Sequence, residues 1–204
     1  MPYRAVLFDL GGVVLGSPMA AIAHFERDRG IPAGWINRHI ATSAPDGAWQ
    51  KLERGALRVP AWSAAFSREC SEAGQALDAA ALMAAIRAAT DLRPRMQRAI
   101  AEIRRQGLVA AALTNNWHDD GTEALRPLFD LFLESSKLGL RKPDPKIYQV
   151  ACRQIGAQPG EIVYLDDIGY NLKPARAMGM TTLKVQDADE TLDALQELLG
   201  FALR

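Results

Sequence analysis

Three short apolar runs each end on polar side chains, and this repetition constrains the fold more than any other feature of the chain. "AVLF" stops at Asp9, "LVAAALT" runs into Asn115, and "EIVYL" stops at Asp166 and Asp167. A strand with one wet face alternates apolar and polar residues. A strand covered on both faces is apolar nearly throughout, as these are. The runs therefore read as parallel strands sandwiched between helices.

The segments between them carry helix punctuation. "PRMQRAIAEIRRQG" has Pro94 at its start, Gly107 after its end, and Met96, Ile100 and Ile103 on one face. "DPKIYQVACRQIG" repeats the pattern, with Asp144 as cap, Pro145 in the first turn and Gly156 at the stop. "FDLFLES" reads as a further strand. "NLKPARAMG" followed by "TTLKV" reads as one more helix and strand, and "DETLDALQELLG" as a closing amphipathic helix. Alternating strands and helices imply an α/β fold, a doubly wound, mostly parallel Rossmann-like sheet. Residues 17–91 break the alternation. They are rich in Ala and hold helix-like stretches ("MAAIAHFERDRG", "GAWQKLERG", "PAWSAAFSRECSEAG", "DAAALMAAIRAAT") but no convincing strand. The expected organisation is a core of residues 1–16 and 92–204 with a helical insertion at 17–91.

With 204 residues the chain can bury about 70% of its unfolded surface in one domain and needs no disulfide or metal staple. Lys+Arg and Asp+Glu balance at 24 each, so global charge argues for neither nucleic acid nor an anionic membrane as partner. No run of about 18 apolar residues suggests a membrane span, and the N-terminus lacks a long signal-peptide core. The expected setting is cytoplasmic, as a monomer or homodimer. Cys70 and Cys152 lie far apart without metal-like spacing and read as free thiols.

In an open parallel sheet, ligands bind beyond the carboxyl ends of the strands. If the first strand neighbours the one ending at Asp166 and Asp167, three carboxylates crowd together, which is costly unless a cation neutralises them. A hard divalent ion with oxygen ligands, most simply Mg²⁺, fits that need. Lys142, in "GLRKPDP", offers a counter-charge, while Thr114 and Asn115 offer a hydroxyl and an amide for phosphate oxygens. An Asp nucleophile, a Lys, a Thr hydroxyl and Mg²⁺ together suit phosphoryl transfer on a small phosphorylated substrate.

The motifs "FDLGG", "LTNN", "RKPDPKIY" and "YLDDIGYN", in this order, resemble those of the haloacid dehalogenase superfamily of hydrolases. The likeness is greatest to the N-terminal phosphatase domain of soluble epoxide hydrolases and to the leading domain of an acyl-CoA dehydrogenase family member. "LTNNWHDD", "LDDIGYNLKPARAMGM" and "VQDADETLDALQELLG" carry it over roughly two-thirds of the chain. No G-x-S-x-G elbow occurs, so an epoxide-opening hydrolase domain is not expected here. The resemblance implies a helical cap at 17–91 and a role for each site residue. Asp9 is the nucleophile and a Mg²⁺ ligand, Asp167 the second carboxylate ligand, and the Gly11 carbonyl the third. Thr114 and Asn115 bind the phosphoryl group. Lys142 steadies it and Asp9, Asp166 orients Lys142, and Asn171 supports the metal shell.

One position departs from the family pattern. Its phosphatases commonly carry a second Asp, two residues after the nucleophile, that protonates the leaving group; here that residue is Gly11. Such an acid is worth about 10²–10⁴ in rate. A Mg²⁺-dependent phosphatase remains the leading reading, with a metal-independent 2-haloacid dehalogenase, or a weakened phosphate-ligand binding or interaction protein, as alternatives. A positive φ at Gly11 would make an Asp there strained. His118 and Asp119, just past Asn115, are possible proton carriers or simply the start of the next helix. His24 and His39 have no evident partner. Trp35, Trp49, Trp62 and Trp117 read as packing residues. Arg54, Arg58 and Arg141 are surface residues or substrate contacts.

Overall fold

The structure, a computed structural model, describes residues 2–203. Among these, five parallel strands form one sheet: β1 (Ala5–Phe8), β2 (Val109–Thr114), β3 (Leu131–Glu134), β4 (Ile162–Asp166) and β5 (Thr181–Lys184). Their order across the sheet is β3-β2-β1-β4-β5. β1 is central, with Ala5 opposite Val109 on one side and Ile162 on the other. The chain builds outward from β1 to β3, then returns to the other edge of β1 for β4. Strand order therefore reverses between β1 and β4, and such a reversal opens a crevice at the carboxyl ends of the two strands.

Five helices separate β1 from the core's first helix: α1 (Pro18–Asp28), α2 (Trp35–Thr42), α3 (Ala48–Glu53), α4 (Val59–Glu72) and α5 (Ala79–Ala88). The core then supplies α6 (Pro94–Arg105), the short α7 (Ser135–Leu138), α8 (Pro145–Ile155), α9 (Gly169–Ala177) and α10 (Ala188–Leu199). Side-chain alternation along the strands decides what each sheet face packs. Val6 and Phe8 turn to one face, beside Ile100 of α6 and Leu195 of α10. Ala5 and Leu7 turn to the other, beside Tyr148 of α8 and Leu172 of α9. Fully burying each such large apolar side chain contributes about 1.5–3 kcal/mol. β1 and β4 are buried at every position, which is why their sequences show no polar alternation.

The helices α1–α5 have a hydrophobic cluster of their own, including Phe25, Leu52, Trp62, Phe66 and Leu82. Trp62 stacks on Phe66 with ring centroids 5.3 Å apart, and Trp49 meets Trp62 edge-on at 5.5 Å. The chain leaves and re-enters the core along a short antiparallel pairing. Leu15 bridges Leu92, and the Arg93 N–H donates to the Val14 carbonyl at 2.9 Å.

Two sequence expectations need correction here. The α2 segment was not among the expected helices, because nothing local caps it. Its cap is the buried Glu26 of α1, which accepts the Gly34 N–H at 2.6 Å and the Ile36 N–H at 2.8 Å. His39 does have a partner: its ring stacks on Trp35 at 5.0 Å.

Candidate active site

β1 ends one residue before Asp9, and β4 ends on Asp166. The Asp9 N–H donates to the Leu165 carbonyl at 2.8 Å, so the β1–β4 pairing continues to the tip and sets the two acids side by side. Lys142, 1% exposed, reaches between them. Its ammonium lies 2.8 Å from Asp9 Oδ1 and 2.9 Å from Asp166 Oδ2. The Leu10 N–H also donates to Asp9 Oδ1, at 2.7 Å.

Asp166 is held from all sides. Besides Lys142 it accepts from the Tyr164 hydroxyl, from the Ile168 N–H at 2.8 Å and from Asn171 Nδ2 at 3.1 Å. Asn171 is in turn fixed through its carbonyl, which accepts the Tyr148 hydroxyl at 2.6 Å. Asn171 thus touches Asp166, and Tyr148 and Tyr164 join a polar network that the sequence reading did not include. The Tyr148 hydroxyl finds its acceptor because α8 packs beside α9, whereas Tyr164 lies two residues before Asp166 on the same strand and so on the same face.

One carboxylate oxygen from each of Asp9, Asp166 and Asp167 lies within 4.8 Å of the other two. A single ammonium does not balance three such groups. Burial, reinforced by Asp166 and Asp167 and opposed by Lys142, pushes the Asp9 carboxyl up to about 8. Burial and the Asp166 charge push Asp167 up to about 6. Lys142 responds in the complementary sense: burial pulls its ammonium down, but Asp166 and Asp9 more than compensate and hold it above its ordinary range. Asp166 is saturated with donors, whereas Asp9 Oδ2 and the Asp167 carboxylate take no side-chain donor among the described residues. Hard oxygen ligands with spare lone pairs and uncompensated charge suit Mg²⁺.

The loop after Asp9 is one wide turn over Leu10–Val14. Within it Gly11 has φ −62° and ψ 128°, and it is Gly12 that is left-handed, at φ 75°. A Cβ on Gly12 would fall 2.0 Å from Asp167 Oδ2, so glycine there keeps the Asp167 carboxylate in place. A Cβ on Gly11 would lie 3.0 Å from Pro18 Cγ, at the start of α1.

Thr114 closes β2 and is 4% exposed at the same cleft. The Asn115 amide departs from expectation. Its Oδ1 accepts the Lys142 N–H at 2.8 Å and its Nδ2 donates to the Lys142 carbonyl at 3.0 Å. Both ends of the side chain are thus engaged on the backbone of Lys142 rather than left for phosphate oxygens. Glu53, at the end of α3, was also missed. It is buried, and its carboxylate meets Arg141 Nε at 2.6 Å.

These groups sit at the base of a cleft of about 1020 Å³ between α1–α5 and the sheet. Leu15, Met19, Ile22, Ile40, Trp49 and Ile86 line its walls. Arg141 lines it too, while Arg54 is turned to Asp46 and Arg58 to Asp119.

Comparison with known proteins gives consistent matches. The family of haloacid dehalogenase-like hydrolases matches residues 3–179. Acyl-CoA dehydrogenase family member 10 of Mus musculus is 36% identical over 98% of this chain and 20% of its own length. Bifunctional epoxide hydrolase 2 of Sus scrofa is 32% identical over 100% of this chain and 40% of its own. The chain thus spans well under half the length of these two relatives. Sesquiterpene phosphatase astK of Aspergillus oryzae is 28% identical over 97% of both chains. Among solved structures, a HAD family enzyme of Bacteroides thetaiotaomicron in complex with magnesium and inorganic phosphate superposes with a TM-score of 0.65 at 17% identity, covering 91% of this chain and 96% of that one.

Proposed function

The chain belongs to the haloacid dehalogenase-like hydrolases, and from that premise we propose that it is a Mg²⁺-dependent phosphatase acting through an aspartyl-phosphate on Asp9. The observation that carries this reading is the crevice between β1 and β4, where Asp9, Lys142, Asp166 and Asp167 converge. Asp9 attacks phosphorus and the P–O bond to the alcohol breaks, so the alcohol leaves with the bonding pair and takes up a proton. Water then attacks the aspartyl-phosphate at phosphorus, releasing inorganic phosphate and the Asp9 carboxylate. Lys142 lies against the nucleophile and balances charge on the phosphoryl oxygens. Asp166 keeps Lys142 in that position. Thr114 supplies a hydroxyl to the phosphoryl group, and the Asn115 backbone N–H supplies a donor that its side chain does not. Asp9, Asp167 and the Gly11 carbonyl are the residues assigned to Mg²⁺, which when bound offsets the carboxylates and withdraws charge from the phosphoryl oxygens.

Residues 17–91 act as the cap, and the apolar walls of the cleft suit a phosphate ester whose organic part is apolar. The phosphatase relative named for a sesquiterpene supports that direction. Gly11 favours a second reading, a metal-independent 2-haloacid dehalogenase, because halide departure needs no proton. Phosphate release from aryl and alkyl phosphates, measured with and without Mg²⁺, tests the proposal. Turnover is expected to vanish with a chelator, return with Mg²⁺, and vanish in Asp9→Asn while that variant melts cooperatively. Chelator-resistant chloride release from a 2-haloacid would replace the phosphatase reading with the second one.

A further inference from the structure

Glu53 comes from the helical segment, yet all but one of its side-chain and carbonyl partners lie on the core. Its carboxylate is nearly buried, with side-chain exposure of 10%. Oε1 accepts the indole N–H of Trp49, one turn earlier in α3, at 3.0 Å. Oε2 accepts Arg141 Nε at 2.6 Å and Asn115 Nδ2 at 3.4 Å. The Glu53 carbonyl accepts the Ser135 hydroxyl at 2.6 Å, which fixes the end of α3 on the start of α7. A carboxylate removed from water is costly unless charge and hydrogen bonds replace its hydration, and these contacts replace it on both oxygens.

The partners of Glu53 are the two groups that flank and hold Lys142. Arg141 precedes Lys142 in the chain. Asn115 brackets the Lys142 backbone through both its N–H and its carbonyl. Beyond that backbone, the Lys142 ammonium rests on Asp9 and Asp166. The connection therefore runs from Trp49 in the wall of the cleft, through Glu53, to the cation beside the nucleophile. Arg141 lines the cleft with its terminal guanidinium nitrogens free of protein acceptors among the described residues.

We infer that Glu53 is a positioning residue: seated against the core, it fixes Arg141 and Asn115, and through them the Lys142 backbone, so that the anion-binding side of the site is complete only when α3 is docked. The inference rests on the phosphatase reading for its ligand but not for its geometry, and the experiment separates the two. Glu53→Gln retains the shape and one acceptor for Trp49 while removing the charge. Arg141→Met removes the partner, and the double variant closes the cycle. Two quantities are read on cooperatively melting protein in Mg²⁺: the exchange rate of the Lys142 amide, and the Kd of inorganic phosphate by calorimetry. Each single variant is expected to speed Lys142 exchange and to raise the phosphate Kd by about tenfold, the scale of one charge-assisted hydrogen bond. The double variant should be no worse than the poorer single one, because the two residues act as one unit. A purely structural Glu53 would lower the melting temperature while leaving both quantities at their wild-type values, and that result overturns the inference. A wild-type protein that binds no phosphate overturns the phosphatase reading instead, and the exchange rates then decide the role of Glu53 alone.

Discussion

At position 11 the backbone is extended and open to any residue, so the lack of an acid there is not imposed by the turn. The obstacle is Pro18, whose ring stands 3.0 Å from where a Cβ would be. Gly11→Asp is therefore expected to fold, with a local push on the start of α1. Pro18→Ala in the same chain makes room for the carboxyl, and Ala is well tolerated at that point of a helix. If departure of the unprotonated alcohol limits turnover, the double variant should hydrolyse alkyl phosphates up to about 10²-fold faster, with a much smaller gain on p-nitrophenyl phosphate, whose leaving group is already stable. Gly11→Asp alone should gain less. Paired kcat measurements on both substrates, with melting curves, check this; equal rates for both variants and wild type would mean another group already supplies the proton. Gly12, by contrast, cannot be exchanged freely, since its left-handed φ and its closeness to Asp167 both exclude a side chain.

Among the elements, α2 is the one whose existence depends most on another part of the chain. It begins after a left-handed Gly34 with no side-chain cap of its own, and Glu26 supplies the acceptor for two of its first N–H groups. Glu26→Ala removes both hydrogen bonds and leaves the buried Ile36 N–H unpaired. The expected loss is about 2–4 kcal/mol, with Glu26→Gln losing less because one oxygen acceptor remains. Urea denaturation of the two variants measures it, and a loss under about 0.5 kcal/mol for Glu26→Ala would mean that water takes over the cap. β2 likewise depends on its surroundings, since its alanine-rich sequence favours a helix and its pairing with β1 and β3 holds it as a strand. Its three central alanines are fully buried between the two helical layers, and their small size lets α6 and α8 sit close to the sheet.

At the scale of the whole molecule, two hydrophobic clusters meet across a cleft that is polar at its base and apolar along its walls. This division should appear in substrate preference. Along a series of straight-chain alkyl phosphates, each methylene that enters the cleft is worth up to about 0.8 kcal/mol, or about fourfold in kcat/KM. The gain should continue until the cleft is filled and then stop. A flat series from butyl to dodecyl phosphate would show that the apolar walls do not receive the substrate.

The sequence by itself determined the strands, most of the helices and the residue types at the strand tips. Those features rest on short-range physics: a twice-covered strand must be apolar throughout, and Asp144 and Asp187 cap their helices by accepting N–H groups two or three residues ahead. Only the tertiary structure decided which side chains share a site. Asp9 meets Asp166 because β1 pairs with β4, and Lys142 reaches both from the loop before α8, whose backbone Asn115 holds at the tip of β2. Glu53 and Tyr148 enter the network because separate elements bring their partners to them, whereas Tyr164 meets Asp166 two residues along its own strand. The left-handed residue fell at Gly12 rather than Gly11 for the same reason: the turn must pass beside Asp167, a constraint that arises only once β1 and β4 are adjacent.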